Sequence, residues 1–159
     1  MKDKEYFLEQ VFSHQAIIHK ICRMYRDTRE DQEDLFQEIV YQLWKSFGQF
    51  QGKSKFSTWM YRIGLNTAMA TFRKPKTQQL SLEDHLQLNR AIVQEPEDEN
   101  SERLFRAIRK LEEADRALLS LYFEDLSYAE VGEVLGISEN NVGVRLTRIK
   151  GKLRKLLKV

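Results

Sequence analysis

Two glycines, Gly132 and Gly136, lie four residues apart in segment 128–146, whose apolar residues otherwise recur at helical spacing. A glycine inside a helix costs about 1 kcal/mol relative to alanine, so Gly132 indicates that another segment passes close by. Gly136 suits a left-handed turn, after which Ile137 would fill the core and Ser138 would cap a second helix. The segment therefore predicts a helix-turn-helix. The alternative is a plain helical bundle in which Gly136 only ends a helix.

The second helix of this motif has an apolar stripe formed by Val142, Leu146 and Ile149. If the stripe faces inward, the opposite face can contact DNA, because asparagine reads adenine edges and arginine reads guanine. Arg145 flanks the core and is better placed for a phosphate than for a base. The predicted DNA-binding residues are Ser138, Asn140, Asn141, Gly143, Val144, Arg145, Thr147 and Arg148.

Apolar residues recur at helical spacing over most of the remaining chain, which contains only two prolines, so the predicted fold class is all-α. Before Pro75 we predict three helices, over 4–25, from Thr28 to about Phe47, and from Ser54 or Ser57 to about Lys74, with a polar loop over 48–55. The inward residues predicted for the third helix are Trp59, Met60, Ile63, Thr67 and Ala70.

Beyond the third helix, residues 76–100 have weak periodicity and are predicted to form a linker. Four shorter helices then follow, with predicted N-caps at Ser101, Asp115, Ser127 and Ser138. The chain is thus predicted to form two small helical domains, 1–75 and 101–159, joined by a flexible linker.

Basic residues are concentrated in two blocks without any acid, residues 40–81 and 140–159, each with seven lysines and arginines. Between them, residues 91–102 carry five acids and no base. The net charge of the whole chain is only +2 and hides this pattern. Two basic blocks separated by an acidic segment favour two contacts with one polyanion.

Within the first basic block, aromatic residues are interspersed with basic residues over 47–74. Unpaired bases stack on aromatic rings while basic groups follow the phosphates, so this pattern is typical of single-strand binding. The alternative is that Phe56 and Trp59 belong to the core and the lysines only solvate the surface, and it is favoured for Trp59. The nucleic-acid interpretation is favoured for the loop 49–57 and for Arg62, Asn66 and Arg73.

Cys22 is the only cysteine, so no disulfide can form within the chain and a reducing compartment is expected. His14 and His19 lie near it on the predicted first helix, but a closed zinc site needs four ligands, so packing is favoured over a metal. No phosphate-binding glycine motif and no nucleophile with a base is recognisable. We predict no catalytic site, no metal and no cofactor.

The first five residues, Met-Lys-Asp-Lys-Glu, are followed by no apolar run, so no signal peptide is expected. No segment is apolar enough for membrane insertion, and a cytoplasmic location is expected. No third domain is expected after Val159.

Three runs of residues, in this order, resemble the extracytoplasmic-function sigma factors, the smallest members of the sigma-seventy family. Residues 34–38, Asp-Leu-Phe-Gln-Glu, followed by Leu43-Trp44, are similar to the segment that binds core RNA polymerase. Residues 56–63, Phe-Ser-Thr-Trp-Met-Tyr-Arg-Ile, with Asn66, are similar to the segment that melts and reads the −10 promoter element. Residues 126–146 are similar to the helix-turn-helix that reads the −35 element.

The resemblance implies a bacterial transcription initiation factor that is not itself an enzyme. Residues 1–75 would be sigma region 2 and residues 101–159 sigma region 4. The implied partners are core RNA polymerase, promoter DNA as duplex and as melted strand, and, as is common in the family, an anti-sigma factor.

The resemblance also implies roles for individual residues. The implied polymerase-binding residues are Asp34, Leu35, Gln37, Glu38 and Tyr41. The implied −10 residues are Gln49, Lys53, Lys55, Phe56, Ser57, Arg62, Asn66, Arg73 and Lys74. The −35 residues are those predicted above for the second helix of the helix-turn-helix.

The chain departs from the family pattern at three positions. Leu111 is followed by Glu112 where the family usually has proline, so this helix junction is expected to be less rigid. Asn141 stands where threonine is frequent, and Gly143 stands where lysine is frequent. The −35 sequence preference of other members therefore does not transfer to this chain.

Two classes of protein remain as alternatives. An autonomous DNA-binding regulator of the response-effector type also carries a helix-turn-helix, but it needs an upstream sensory or phospho-acceptor domain, which residues 1–75 do not resemble. A nucleic-acid-processing enzyme would need a catalytic constellation, and none is recognisable.

Overall fold

The computed structural model describes residues 4–70 and 98–158, and every regular element within these ranges is a helix. The chain divides into two compact units, residues 1–96 and 97–159. The predicted fold class, all-α with two helical domains, is confirmed. The predicted linker 76–100 falls almost wholly outside the described residues, and its boundaries stay a prediction.

Within residues 4–70, the first unit contains four α-helices and one short 3-10 turn. The helices are α1 (Lys4–Ser13), α2 (Gln15–Tyr25), α3 (Arg29–Ser46) and α4 (Phe56–Ala70), and the 3-10 turn (Phe47–Gln49) follows α3 directly. Helices α2, α3 and α4 pack on one another around fully buried side chains that include Ile18, Ile21, Ile39, Leu43 and Met60.

The helix predicted over 4–25 is wrong in one respect, because it is broken at His14. This residue has a non-helical backbone (φ −113°, ψ 17°), and its ring nitrogen Nδ1 lies 2.9 Å from the carbonyl oxygen of Gln10. The His14 ring also packs 5.5 Å from the ring of Phe56. Apolar periodicity did not reveal the break because Phe7 and Ile18, on either side of it, are both buried.

Helix α3 begins as predicted, since the Thr28 hydroxyl accepts a hydrogen bond from the Asp31 amide at 3.1 Å. Helix α4 begins at Phe56, beside rather than at the predicted serines, and its predicted end near Lys74 lies outside the described residues.

The buried face of α4 also differs from the prediction. Met60 and Thr67 are buried as expected, but Trp59 and Ile63 are only half-buried and Ala70 is exposed. The helix packs against both α2 and α3, so a wider face is covered than one stripe suggests. The buried residues of α4 are Met60, Tyr61, Gly64, Leu65, Thr67 and Ala68.

Over residues 98–158, the second unit contains four α-helices. They are α5 (Glu99–Ile108), α6 (Glu113–Tyr122), α7 (Tyr128–Leu135) and α8 (Glu139–Leu157). Helix α8 is the longest and packs against each of the other three. The buried apolar residues include Ile108, Leu118, Leu121, Val131, Val142, Leu146 and Ile149.

Two of the four predicted N-caps in this unit are wrong. Helix α5 is capped by Asp98, whose carboxylate accepts a hydrogen bond at 2.6 Å from the amide of Ser101, the predicted cap. Helix α6 follows Glu112, and Asp115 lies inside its first turn with its side chain turned to another helix. The caps at Ser127 and Ser138 are confirmed, the former as a reciprocal capping box with Glu130.

Candidate nucleic-acid interface

The turn between α7 and α8 is built around two glycines. Gly136 has a left-handed backbone (φ 75°, ψ 31°), and its amide donates to the Gly132 carbonyl oxygen at 2.7 Å. The Ile137 amide donates to the same oxygen at 3.0 Å. A side-chain carbon on Gly132 would lie 2.5 Å from the Ile137 carbonyl oxygen, too close for any residue but glycine without movement of the turn. Both glycines therefore have their predicted roles in a helix-turn-helix.

The facing predicted for α8 is confirmed. Val142, Leu146 and Ile149 are each 1% exposed, so the apolar stripe lies in the core. Val144, on the opposite side, is 53% exposed. The other exposed residues predicted for this face are Ser138, Asn140, Asn141, Thr147 and Arg148.

Gly143 differs from its neighbours because it is covered by an aromatic ring. A side-chain carbon placed on Gly143 would lie 3.3 Å from Cε2 of Tyr128, the first residue of α7. Tyr128 is itself 40% exposed, so its ring forms part of the surface beside Gly143. Sequence reasoning assigned Gly143 to the DNA-binding face and missed Tyr128, since nothing in the local pattern connects the two helices at this point.

Arg145 forms an ion pair within the protein. Its guanidinium Nη2 lies 3.3 Å from Oδ1 of Asp115, and Lys152 Nζ lies 3.3 Å from Oδ2 of the same carboxylate. Asp115 is only 7% exposed. The sequence pattern suggested that Asp115 caps a helix. It did not predict the contact of Asp115 with two basic side chains of α8.

The predicted −10 residues lie on the first unit, on α4 and on the loop before it. Arg62 and Asn66 are both exposed and are one helical turn apart. Lys53 and Lys55 are exposed on the loop, as is Gln49 at the end of the 3-10 turn. Ser57 is half-buried at the start of α4, and the predicted residues Arg73 and Lys74 lie outside the described residues.

The aromatic residues of this loop and helix form one cluster. Trp59 lies 5.0 Å from Phe50 and 5.3 Å from Phe56, and Phe47 lies 6.2 Å from Trp59, all between ring centroids. Phe50, Phe56 and Trp59 are half-buried, whereas Phe47 is fully buried. The rings are therefore held by one another, with part of each of the three outer rings still accessible.

The residues implied to bind polymerase do not form one exposed patch. Asp34 is exposed and Gln37 and Tyr41 are half-buried, so these three are accessible on α3. Leu35 is 4% exposed and belongs to the core. Glu38 is 9% exposed, and its carboxylate accepts a hydrogen bond from the side-chain amide nitrogen Nε2 of Gln42 at 2.9 Å.

The residues considered for a metal are packed among apolar groups. The ring of His19 stacks on Phe36 at 4.7 Å, and burial lowers the pKa of His19 below its usual value. Burial raises the pKa of the Cys22 thiol above its usual range, opposed to a smaller extent by the positive charge of Arg26. Within 4–70 and 98–158, no group of three histidine, cysteine or acidic residues is placed to hold a metal ion.

No helix in the described part of the chain is both long enough and apolar enough to cross a membrane.

Comparison with known proteins places both units in one family. The family model described as "Sigma-70 region 2" matches residues 11–77, and the model described as "Sigma-70, region 4" matches residues 101–153. The chain is 32% identical to the RNA polymerase sigma-H factor of Pseudomonas aeruginosa, over 98% of this chain and 88% of that protein. It is 29% identical to the ECF RNA polymerase sigma factor SigW of Bacillus subtilis, over 98% of this chain and 91% of that protein.

The fold has a counterpart among solved structures. The sigma factor RpoE of Bartonella quintana, solved in complex with the anti-sigma factor NepR, superimposes with a TM-score of 0.72 at 18% identity and covers 98% of both chains.

Proposed function

Because this chain belongs to the extracytoplasmic-function branch of the sigma-70 family, and so directs promoter-specific transcription initiation by RNA polymerase, we propose how its surfaces divide that task. The first unit binds core polymerase through α3 and captures the opened −10 strand with α4 and the preceding loop. The second unit reads the −35 duplex with α8. The polymerase supplies the covalent chemistry, and the chain itself acts in the cytoplasm without enzymatic activity.

The observation that carries the −35 assignment is the division of α8 into two faces. The apolar stripe is in the core, and the opposite face exposes two asparagines and an arginine, side chains that pair with base edges in the major groove. The helix follows a tight turn and begins at a capped end, as in other helix-turn-helix proteins whose second helix enters the groove.

The first prediction concerns base reading by α8. Alanine at Asn140, Asn141 or Arg148 is expected to weaken binding to the preferred −35 sequence by about 1–3 kcal/mol per lost base contact. Binding to mismatched sequences should change less, so that specificity relaxes at the base concerned. Footprinting of the complete polymerase complex on promoter variants measures both effects.

Lys155 provides the matched control for this experiment. It is exposed on the same helix near its C-terminal end. A lysine that contacts only phosphates carries no base preference, so Lys155→Ala should weaken binding about equally on all sequences. Unchanged sequence preference in all three alanine variants would show that another face of α8 reads the bases.

The −10 assignment is supported by basic and polar side chains that surround the accessible rings of the aromatic cluster. Lys53 and Lys55 are exposed on the loop next to half-buried Phe56, and Arg62 and Asn66 are exposed along α4. Stacking on protein rings returns about 1–3 kcal/mol per base, and opening DNA costs about 1.4 kcal/mol per step. These terms are comparable, so single contacts here control strand opening.

The second prediction concerns strand capture. Asn66→Ala, or alanine at both Lys53 and Lys55, is expected to reduce transcription from a duplex promoter while leaving promoter binding in place. A template with a pre-melted −10 bubble should restore the part of the loss that is due to opening. Permanganate footprinting of unpaired thymines measures opening directly.

Ser54→Ala is a suitable control, because this half-buried loop residue lies between the two lysines and carries no charge. If all these variants open the promoter to the wild-type extent, the −10 contact lies elsewhere on the first unit.

We propose core RNA polymerase and promoter DNA as the partners of this chain, with an anti-sigma protein as a further partner. The anti-sigma proposal is supported by the Bartonella quintana relative of the same fold, which was solved bound to such a protein. Co-purification of core polymerase with the full chain from a bacterial lysate tests the central assignment, since neither an autonomous regulator nor a nucleic-acid-processing enzyme would retain it stoichiometrically.

A further inference from the structure

Asp115 forms a bridge between α6 and the DNA-reading helix α8. One carboxylate oxygen lies 3.3 Å from the Arg145 guanidinium and the other lies 3.3 Å from the Lys152 ammonium. Arg145 and Lys152 are seven residues apart, about two helical turns, so they lie on the same side of α8. A single carboxylate thus binds two basic side chains of the same helix.

The environment of Asp115 holds its carboxylate in place. The residue is 7% exposed and lies in the first turn of α6, where the helix dipole favours a negative charge. The side chains of its partners are more open to solvent, at 29% for Arg145 and 44% for Lys152. Loss of the carboxylate would therefore leave two cations that can turn to solvent or to an anion, rather than two charges trapped in the core.

The two cations lie beside the face of α8 that is proposed to contact DNA. Arg145 follows Val144, and Lys152 lies one turn beyond Arg148, so both border the exposed face that contains Asn140 and Asn141. Long basic side chains at the border of a recognition helix are within reach of the phosphates that flank the groove. Phosphate contacts raise affinity for every sequence alike, so they strengthen binding to DNA that carries no promoter sequence.

We propose that Asp115 withholds Arg145 and Lys152 from the DNA phosphates and thereby limits the sequence-independent binding of α8 to DNA. The inference rests on the proposed −35 function of α8. It assigns the DNA affinity of α8 to two features, the base-reading side chains and an internal acid that limits the sequence-independent contribution to binding.

The salt dependence of DNA binding tests this proposal. Each phosphate-bound cation adds about 0.9 to the slope of log K against log salt concentration on duplex DNA. Asp115→Asn in the full chain should therefore steepen this slope by about 0.9–1.8 on a duplex without promoter sequence. Between about 50 and 200 mM salt, the larger value amounts to roughly a tenfold greater loss of affinity. At low salt the variant should bind this duplex more tightly than the wild type does.

Variants of two lysines on α8 separate the proposal from a purely structural role. Lys152→Gln should leave the slope nearly unchanged in the wild type, because Asp115 already occupies this ammonium, but should reduce it in the Asp115→Asn background. Lys155→Gln, at an exposed position where the described residues supply no acidic partner, should reduce the slope by about 0.9 in both backgrounds. Hydrogen exchange of α8 in each variant establishes that the helix remains folded.

The outcomes distinguish this proposal from the function on which it rests. A lower unfolding temperature of Asp115→Asn with an unchanged salt slope would mean that the bridge is only structural, and so would equal slope changes for Lys152→Gln and Lys155→Gln in the wild type. Either result overturns the inference while leaving −35 reading intact. If the wild-type polymerase complex shows no −35 sequence preference, the proposed function fails, and the inference fails with it.

Discussion

Replacing Gly132 with valine is expected to cause the largest loss of stability of any single change in the helix-turn-helix. The first side-chain carbon would lie 2.5 Å from the Ile137 carbonyl oxygen, which belongs to the turn backbone and cannot rotate away as a side chain would. Overpacking in a well-packed interior costs about 1–3 kcal/mol, and a backbone obstacle favours the upper end. In a domain of this size, that corresponds to a fall in Tm of roughly 10–25 °C. Binding to the −35 element should be lost with the turn.

Gly151→Val is the matched control for this change. Gly151 lies within α8, and a side-chain carbon there would have no atom within 4 Å. Valine is a slightly better helix former than glycine, so the control should unfold at or above the wild-type temperature. Thermal unfolding of the full chain, combined with hydrogen exchange of 128–146, assigns the effect to the turn. Equal unfolding temperatures for the two variants would contradict the close packing at Gly132.

Replacing both Asp34 and Gln37 with alanine is expected to weaken binding to core polymerase by at least about 30-fold. These two residues and Tyr41 are the accessible part of the predicted polymerase-binding surface, whereas Glu38 is nearly buried and bonded to Gln42. Truncation of a hot-spot residue of an interface costs about 2 kcal/mol or more, which corresponds to about 30-fold in affinity. Helix content and thermal unfolding should change little, because neither side chain belongs to the apolar core.

Glu33→Ala is the control for the polymerase experiment. Glu33 is an exposed acid on α3 that lies 3.8 Å from the Arg29 guanidinium, an i,i+4 surface pair worth at most about 1 kcal/mol. Its removal changes the net charge as Asp34→Ala does, but leaves the predicted surface intact. If the control and the double variant lose affinity equally, the effect is general electrostatics and α3 is not the polymerase contact.

The parts of the fold that could be predicted from the sequence are those encoded over one or two helical turns. The inward stripe of α8 and the cap at Ser138 were predicted correctly, because each depends on residues within about four positions. The turn at Gly136 belongs to the same class, since a left-handed backbone strongly favours glycine. The existence of two helical domains followed from the same local patterns.

The parts that could not be predicted depend on partners distant in the chain. Asp115 bridges to Arg145, which is 30 positions further along the chain, and to Lys152, which is 37 positions further. The local sequence pattern could only assign this acid to the end of its own helix. The same is true of Tyr128, which covers Gly143 from another helix. The break at His14 was not predicted although it is local. It leaves the spacing of the buried residues on either side almost unchanged, so the apolar pattern does not show it.

The aromatic cluster of the first unit has a spectroscopic consequence. The chain contains two tryptophans, and both contact Phe47, Trp59 through its half-buried ring and Trp44 at 6.4 Å with 36% of its surface exposed. Intrinsic tryptophan emission therefore reports only on the unit that is proposed to meet polymerase and the melted strand. A base stacked on Trp59 would quench it and a protein surface covering Trp44 would shift it, so both encounters can be followed in an unlabelled protein, and the second unit contributes no tryptophan signal.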